Sequence, residues 1–171
     1  MSKSFTLTEL IIYIALVALV AIVAISFAWN IINIRIKNQA YQEVQQNLRF
    51  GMEKITQAIR GANDISISDS VLTLNYPTKD IILDVAAKTI NLGGQDVEIH
   101  KLRITDGPSD PEALTSDKVD VTNFILTNLT QGSEPKNIKI ELTIKYVNPS
   151  QDPKWEAEIS SETASSVRIS P

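Results

Sequence analysis

One carboxylate stands at the edge of a long apolar stretch near the amino end of the chain. Glu9 directly precedes residues 10–34, which are mostly Ile, Leu, Val and Ala and include no charged side chain. A carboxylate carried to the centre of a bilayer costs about 2.5–3.5 kcal/mol, and less near the interface. Glu9 therefore either faces water at the interface or meets a cation presented at membrane depth, such as the free α-amine of a neighbouring chain.

The other side chains that could do chemistry stand alone. The sequence has one His and no Cys, which excludes disulfides, thiol nucleophiles and Cys-ligated zinc and disfavours His-based catalytic groups. His100 lies in an alternating stretch without a second His, so we interpret it as a surface or partly buried strand residue. The acidic segment 106–112 could offer oxygen ligands to Ca²⁺, but it matches no loop motif and is interpreted as a solvated turn. We predict no catalytic residue, metal site or cofactor, and we do not expect an enzyme.

The length and the charge distribution of the chain indicate one domain with an appended segment. The 171 residues carry 16 Lys and Arg against 20 Asp and Glu. Lys3 and Arg35 against Glu9 give residues 1–36 a net charge of +1, so the remainder carries −5. An acidic, aromatic-poor outer part lacks the clustered cations of a nucleic-acid surface, and no nucleic-acid partner is expected.

The apolar stretch predicts a membrane-spanning helix. At about 1.5 Å per residue, residues 10–29 would cross the roughly 30 Å hydrocarbon core. The stretch is apolar on every face, and Trp29 followed by Arg35 and Lys37 indicates an exit into an aqueous interface. A secretory signal peptide is the alternative, but its apolar core would be shorter, about 7–15 residues. Since few residues precede the helix and a folded domain follows, we predict that the amino end lies in the cytoplasm.

The residues around Glu9 carry a resemblance. The sequence SFTLTE at residues 4–9, continued by the apolar stretch, resembles the prepilin cleavage and methylation signal of type IV pilins and type II secretion pseudopilins. The resemblance implies cleavage between Ser4 and Phe5 by a prepilin peptidase and N-methylation of Phe5. It also implies that Thr6 and Glu9 act in filament assembly, with Glu9 as the assembly carboxylate.

Three positions depart from the pattern of that family. Ser4 stands where the family usually has Gly, and Thr8 replaces a commoner aliphatic residue. Ser26 stands where a helix-kinking proline often occurs, so we expect a straight helix. The residue at the end of the leader matters most, because an uncleaved chain would offer no new amine to Glu9.

A second helical pattern continues directly from the first. Apolar residues recur at spacings of three and four, at Tyr41, Val44, Leu48, Met52, Ile55, Ile59 and Ala62. The opposite face is mixed and Gln-rich rather than basic, which favours packing on a domain over lying on a membrane. We predict one helix from about Phe5 to Ala62, ended near Gly61.

From Ile65 onward the apolar period changes to two, which predicts strands. The alternating positions are Val71, Leu74 and Tyr76; Ile81, Leu83 and Val85; Ile90 and Leu92; Val97, Ile99, Leu102 and Ile104; Val119, Val121, Phe124 and Ile125; residues 138–146; Trp155, Ala157 and Ile159; and Val167 and Ile169. Gly93 and Gly94 predict a hairpin turn. Prolines 108, 111, 135, 149 and 153 are predicted between strands.

Without helical crossovers the strands should be antiparallel. We therefore predict an α+β fold with a leader at residues 1–4 and a transmembrane and assembly half-helix at 5–36. A globular domain at 37–171 would combine an amphipathic helix at 38–62 with an antiparallel sheet at 65–171. This layout is similar to the pilin fold. Residues 48–62, together with a late strand at residues 165–168, most resemble minor subunits, the J-type pseudopilins and W-type minor pilins.

The resemblance implies a structural, minor pilin or pseudopilin subunit of a type IV pilus or of a type II secretion or competence pseudopilus. Its implied partners are a prepilin peptidase, other subunits through the helix, the inner-membrane assembly platform and membrane lipid. It would be a single-pass protein of the bacterial inner membrane with its carboxyl-terminal domain outside the cytoplasm, and would reach the cell surface after assembly. The alternative, favoured by Ser4, is an uncleaved, signal-anchored binding module outside the cytoplasm.

Overall fold

The first element in the described part of the chain is a helix of 55 residues. A computed structural model describes residues 6–130 and 136–167, and helix α1 covers Leu7–Gly61. The side chain of Thr6 caps its amino end by accepting a hydrogen bond from the Glu9 backbone N–H at 3.3 Å. The helix is continuous through Ser26, whose hydroxyl donates to the Ile22 carbonyl at 2.9 Å. The predicted continuous helix is confirmed over the described residues.

The outer half of α1 supplies one face of the core. Its buried residues are Ala40, Val44, Leu48, Gly51, Met52, Ile55, Ala58 and Ile59. The prediction that Tyr41 begins this stripe is wrong, because its side chain is 40% exposed. Ala40 lies one turn before Val44 on the same face and enters the core instead, which leaves the larger Tyr41 at the rim.

The carboxyl end of α1 depends on a tyrosine from the sheet. The helix ends at Gly61, and Ala62 is already extended. A Cβ atom at Gly61 would lie 2.9 Å from the Tyr76 hydroxyl oxygen, and that hydroxyl donates to the Ala58 carbonyl at 2.6 Å. Because the last four carbonyls of a helix lack partners within it, Tyr76 satisfies one of them. The absence of a side chain at Gly61 thus leaves room for Tyr76 at the end of the helix.

Within residues 6–130 and 136–167, eight antiparallel strands follow the helix in two sheets. The five-stranded sheet contains, in spatial order, β1 (Asp64–Ser68), β2 (Val71–Asn75), β3 (Asp80–Leu92), β4 (Gln95–Asp106) and β5 (Glu112–Ala113). The three-stranded sheet contains β6 (Val119–Asn128), β7 (Asn137–Tyr146) and β8 (Glu158–Ser166). A long amino-terminal helix packed on antiparallel sheets confirms the predicted α+β class and is consistent with a pilin-like fold. The predicted sheet region is divided into two sheets.

The hairpin between β3 and β4 turns where predicted. Gly93 and Gly94 have φ of +62° and +90°, a conformation that favours glycine, and they join Leu92 to its partner Gln95. Prolines 108, 111, 149 and 153 lie between strands as predicted, whereas Pro135 lies outside the described residues.

The carboxyl-terminal strand differs from its prediction. Trp155 was predicted to begin a strand, but it closes a short 3₁₀ helix (Pro153–Trp155) and stacks on Tyr146 at 5.4 Å. The strand begins later, at Glu158, and runs through a Ser- and Thr-rich segment that carries little apolar alternation. Val167 follows this strand and is buried, and Ile169 lies outside the described residues.

One hydrophobic core joins α1 to both sheets. At Gly51 a Cβ atom would lie 3.1 Å from Leu102 of β4 and 3.5 Å from Leu142 of β7. The helix backbone therefore approaches both sheets at this level, which fixes the outer half of α1 against the domain while the inner half extends away from it.

Candidate membrane-spanning and assembly segment

The inner half of α1 has no packing partner in the described chain. Every residue from 6 to 32 is exposed, and Trp29, near the end of this stretch, is 63% exposed. The helix is long and apolar enough to cross a membrane, and none of its apolar window is buried. An apolar surface on all sides of a helix needs lipid or other protein around it.

The exposed segment is longer than a bilayer is thick. Residues 7–39, the 33 helical residues before the first buried position, Ala40, correspond to roughly 50 Å of helix. A hydrocarbon core of about 30 Å takes up part of this length and leaves the remainder for the interfaces. The segment is therefore a stem that can hold the domain clear of a membrane surface.

Thr6 and Glu9 lie together at the start of this stem. Thr6 contributes the helix cap, and the Glu9 side chain is exposed in the first turn, where a carboxylate interacts favourably with the helix dipole. Within the described residues Glu9 forms no ion pair. Ser4 and Phe5, the predicted processing residues, lie outside the described residues.

His100 lies at the contact between the two sheets. Its backbone N–H donates to Asp120 Oδ1 at 2.7 Å, and its Nδ1 lies 3.3 Å from the same oxygen. Lys145 Nζ lies 3.3 Å from the other oxygen of Asp120, whose side chain is only 12% exposed. Asp120 could not be predicted from sequence patterns, because this contact joins strands that are not hydrogen-bonded neighbours. The arrangement connects β4 to β6 and β7.

The acidic segment after β4 is a turn. Asp106 pairs with Lys79 at 2.5 Å, and Gly107 has a φ of +58°. Across residues 6–130 and 136–167, no three His, Cys, Asp or Glu side chains are grouped so that they could hold a metal ion.

A polar loop holds the helix where it enters the domain. The Ser116 backbone N–H donates to Asn47 Oδ1 at 2.8 Å, and its hydroxyl donates to Glu43 Oε1 at 3.2 Å. Lys118 Nζ lies 3.2 Å from the other oxygen of Glu43. The periodicity of the helix places Glu43 and Asn47 on its polar face but does not reveal these partners, which are distant in the sequence.

The same loop also holds the long hairpin. Asp117 accepts hydrogen bonds from Lys101 of β4 and from Lys88 of β3, the latter at 2.9 Å. The Lys101 side chain is 8% exposed, whereas that of Asp117 is 52% exposed. Hydrogen bonds from Lys101 and Lys88 hold the pKa of Asp117 below its ordinary value. Loop residues 116–118 thus connect the base of the domain-bound helix to the five-stranded sheet.

Comparisons with known proteins found no similar protein. No family model, curated protein or solved structure matches the chain. The relation to pilins and pseudopilins is therefore an expectation carried by the motif at residues 4–9 and by the arrangement of stem and domain.

Proposed function

We propose that the chain is a structural subunit, most similar to minor pilins and pseudopilins, that assembles into a filament through its amino-terminal helix. One observation carries the proposal. A single helix joins an apolar half that is exposed on all sides to an amphipathic half that forms part of the domain core. The stem and the domain are therefore joined by one continuous helix, as an assembling subunit requires.

The physical basis of assembly is the replacement of lipid by protein. In a bilayer the apolar stem is surrounded by apolar lipid chains. Its withdrawal into water would expose that apolar surface, at a free-energy cost of about 25 cal/mol for each Å². Packing against the stems of other copies keeps the same side chains out of water. Stems therefore leave the membrane at low cost only when they pack together.

Glu9 gives this packing a register. A carboxylate surrounded by apolar side chains is costly unless it meets a cation. Cleavage after Ser4 would place the ammonium of Phe5 at the end of each stem, four residues before the carboxylate of the same chain. When the ammonium of one copy meets Glu9 of another, both charges are neutralised and the axial offset between the two helices is fixed.

The proposed partners follow from this route. A prepilin peptidase would cleave the precursor, and the inner-membrane assembly platform would receive it together with other pilin or pseudopilin subunits. Before assembly the chain would be a single-pass protein of the bacterial inner membrane with its domain outside the cytoplasm. We propose a structural role without catalysis, and the net charge of −5 beyond residue 36 gives no support to contact with nucleic acid.

Mass spectrometry of the amino terminus tests the processing step. In protein purified from membranes of cells that contain a prepilin peptidase, we expect the chain to begin at an N-methylated Phe5. A Ser4→Gly variant, which has the residue usual in the family, is expected to give the same terminus.

The two chains together separate the proposals. An intact leader in both the natural chain and Ser4→Gly would contradict processing at this site. An intact leader in the natural chain with cleavage of Ser4→Gly would show that Ser4 blocks the peptidase, and would favour the anchored binding module.

A further inference from the structure

Two cations follow the apolar stem without a carboxylate near them. Residues 10–42 contain no Asp or Glu, and both Arg35 and Lys37 are exposed. The next acidic residue, Glu43, already contacts Ser116 and Lys118. Within the described residues neither Arg35 nor Lys37 forms an ion pair, so their charges are available to a partner outside the chain.

The two cations point to opposite sides of the helix. A separation of two residues corresponds to about 200° around the axis and about 3 Å along it. A protein that docked on one face of α1 would meet only one of them. A layer that surrounds the helix at a single depth would meet both, and the headgroup region of a membrane is such a layer.

The distance of Arg35 and Lys37 from the hydrocarbon core is consistent with contact with lipid headgroups. If residues 10–29 lie in the hydrocarbon core, the Cα atoms of Arg35 and Lys37 lie about 9 and 12 Å beyond Trp29. The headgroup region adds only about 5–7 Å on each side. Helical side chains lean toward the amino end of their helix, which here is toward the membrane, so the long Arg and Lys side chains reach back to the headgroups.

We propose that Arg35 and Lys37 form a cationic collar that binds the phosphates of anionic phospholipids and fixes the depth of the stem. The inference rests on the membrane-spanning part of the proposed function. Each cation should strengthen the attraction of the chain to an anionic membrane surface about fivefold, and both together about twenty-fivefold. The collar thus holds the domain at a constant height until the subunit is taken up by an assembly.

Quenching of Trp29 by brominated lipids tests the collar. The full-length chain, with Trp155→Phe so that Trp29 is the remaining tryptophan, is reconstituted in phosphatidylcholine vesicles that contain a minority of phosphatidylglycerol. Either one lipid or the other carries bromine. We expect brominated phosphatidylglycerol to quench Trp29 far more than its share of the lipid predicts, and we expect the double variant Arg35→Gln/Lys37→Gln to lose most of this excess.

A matched control removes the same charge farther from the membrane. Arg49 and Lys54 are exposed on the outer half of the same helix, and Arg49→Gln/Lys54→Gln should leave the quenching unchanged. Equal loss in this control, or quenching in the natural chain that only follows lipid composition, would overturn the collar. Carbonate extraction separates the two proposals: release of the natural chain contradicts membrane spanning as well, whereas retention with proportional quenching contradicts the collar alone.

Discussion

Replacement of Glu9 by glutamine or alanine is expected to leave the chain in the membrane and to reduce its incorporation into filaments at least about tenfold. Glutamine keeps the size of the side chain but cannot neutralise a buried ammonium, which would then carry a penalty of several kcal/mol. The measurement compares the amount of chain in sheared filaments with the amount left in membranes, in cells where the natural chain assembles.

Glu53 offers a matched control for this result. It is an exposed carboxylate on the outer half of the same helix, and Glu53→Gln should assemble normally. Normal incorporation of Glu9→Gln would show that the carboxylate does not act in assembly. If Glu9→Gln and Glu53→Gln are both lost from the membrane fraction, the cause is a defect in insertion or stability instead.

A large effect on stability is expected at Asp117. Asp117→Ala leaves the nearly buried ammonium of Lys101 without its partner. Because Asp117 itself is half exposed, we expect a loss of about 1–3 kcal/mol in the free energy of unfolding, below that of a fully buried pair. Denaturant unfolding of the detergent-solubilised chain, followed by near-ultraviolet circular dichroism, measures it.

Two further variants test whether the loss of stability comes from the broken ion pair or from a nonspecific effect of the substitution. The double variant Lys101→Met/Asp117→Ala removes the stranded charge and should recover most of the lost stability. Asp106→Ala breaks an exposed pair with Lys79 and should cost about 0–1 kcal/mol. If the double variant is no more stable than Asp117→Ala, the unpaired ammonium is not the cause of the loss.

The Asp117 contribution has a defined pH dependence. Its pKa is lowered in the folded chain, so the ionised form favours folding. This stability is fully present above the ordinary pKa of Asp, about 4, and is lost as the pH falls through the lowered value. The difference in stability between the natural chain and Asp117→Ala should therefore narrow below about pH 4. A constant difference from pH 7 to pH 3 would exclude the ion pair as its source.

Local sequence patterns predicted the helix and the turns well. The uncharged stretch, the three- and four-residue spacing from Val44 to Ala62 and the pair Gly93–Gly94 each report conformations that neighbouring residues determine. The error at Tyr41 arose where periodicity alone cannot decide which of two adjacent residues is covered at the edge of a domain. The later start of β8 was missed because its Ser- and Thr-rich segment shows little apolar alternation.

Contacts between distant parts of the chain were beyond prediction from one sequence. The division into two sheets depends on which strands become neighbours, and the partners of Asp120 and Asp117 come from strands and loops far away along the chain. The same holds for the attachment of Glu43 to Ser116. At the stem, Thr6 and Glu9 lie within one helical turn, so local sequence is enough to place them, whereas their role in assembly stays a prediction.

The contact between Glu9 and the terminal amine of another copy can be measured directly. A lipid-soluble carbodiimide joins a carboxylate to an adjacent amine without a spacer, and filaments formed from a mixture of isotopically light and heavy chains distinguish links between copies from links within one. Peptide mass spectrometry should find Glu9 joined to the α-amine of Phe5 in mixed light and heavy pairs. Glu9 that stays unmodified beside an available Phe5 amine, or that links only within its own chain, would contradict the account.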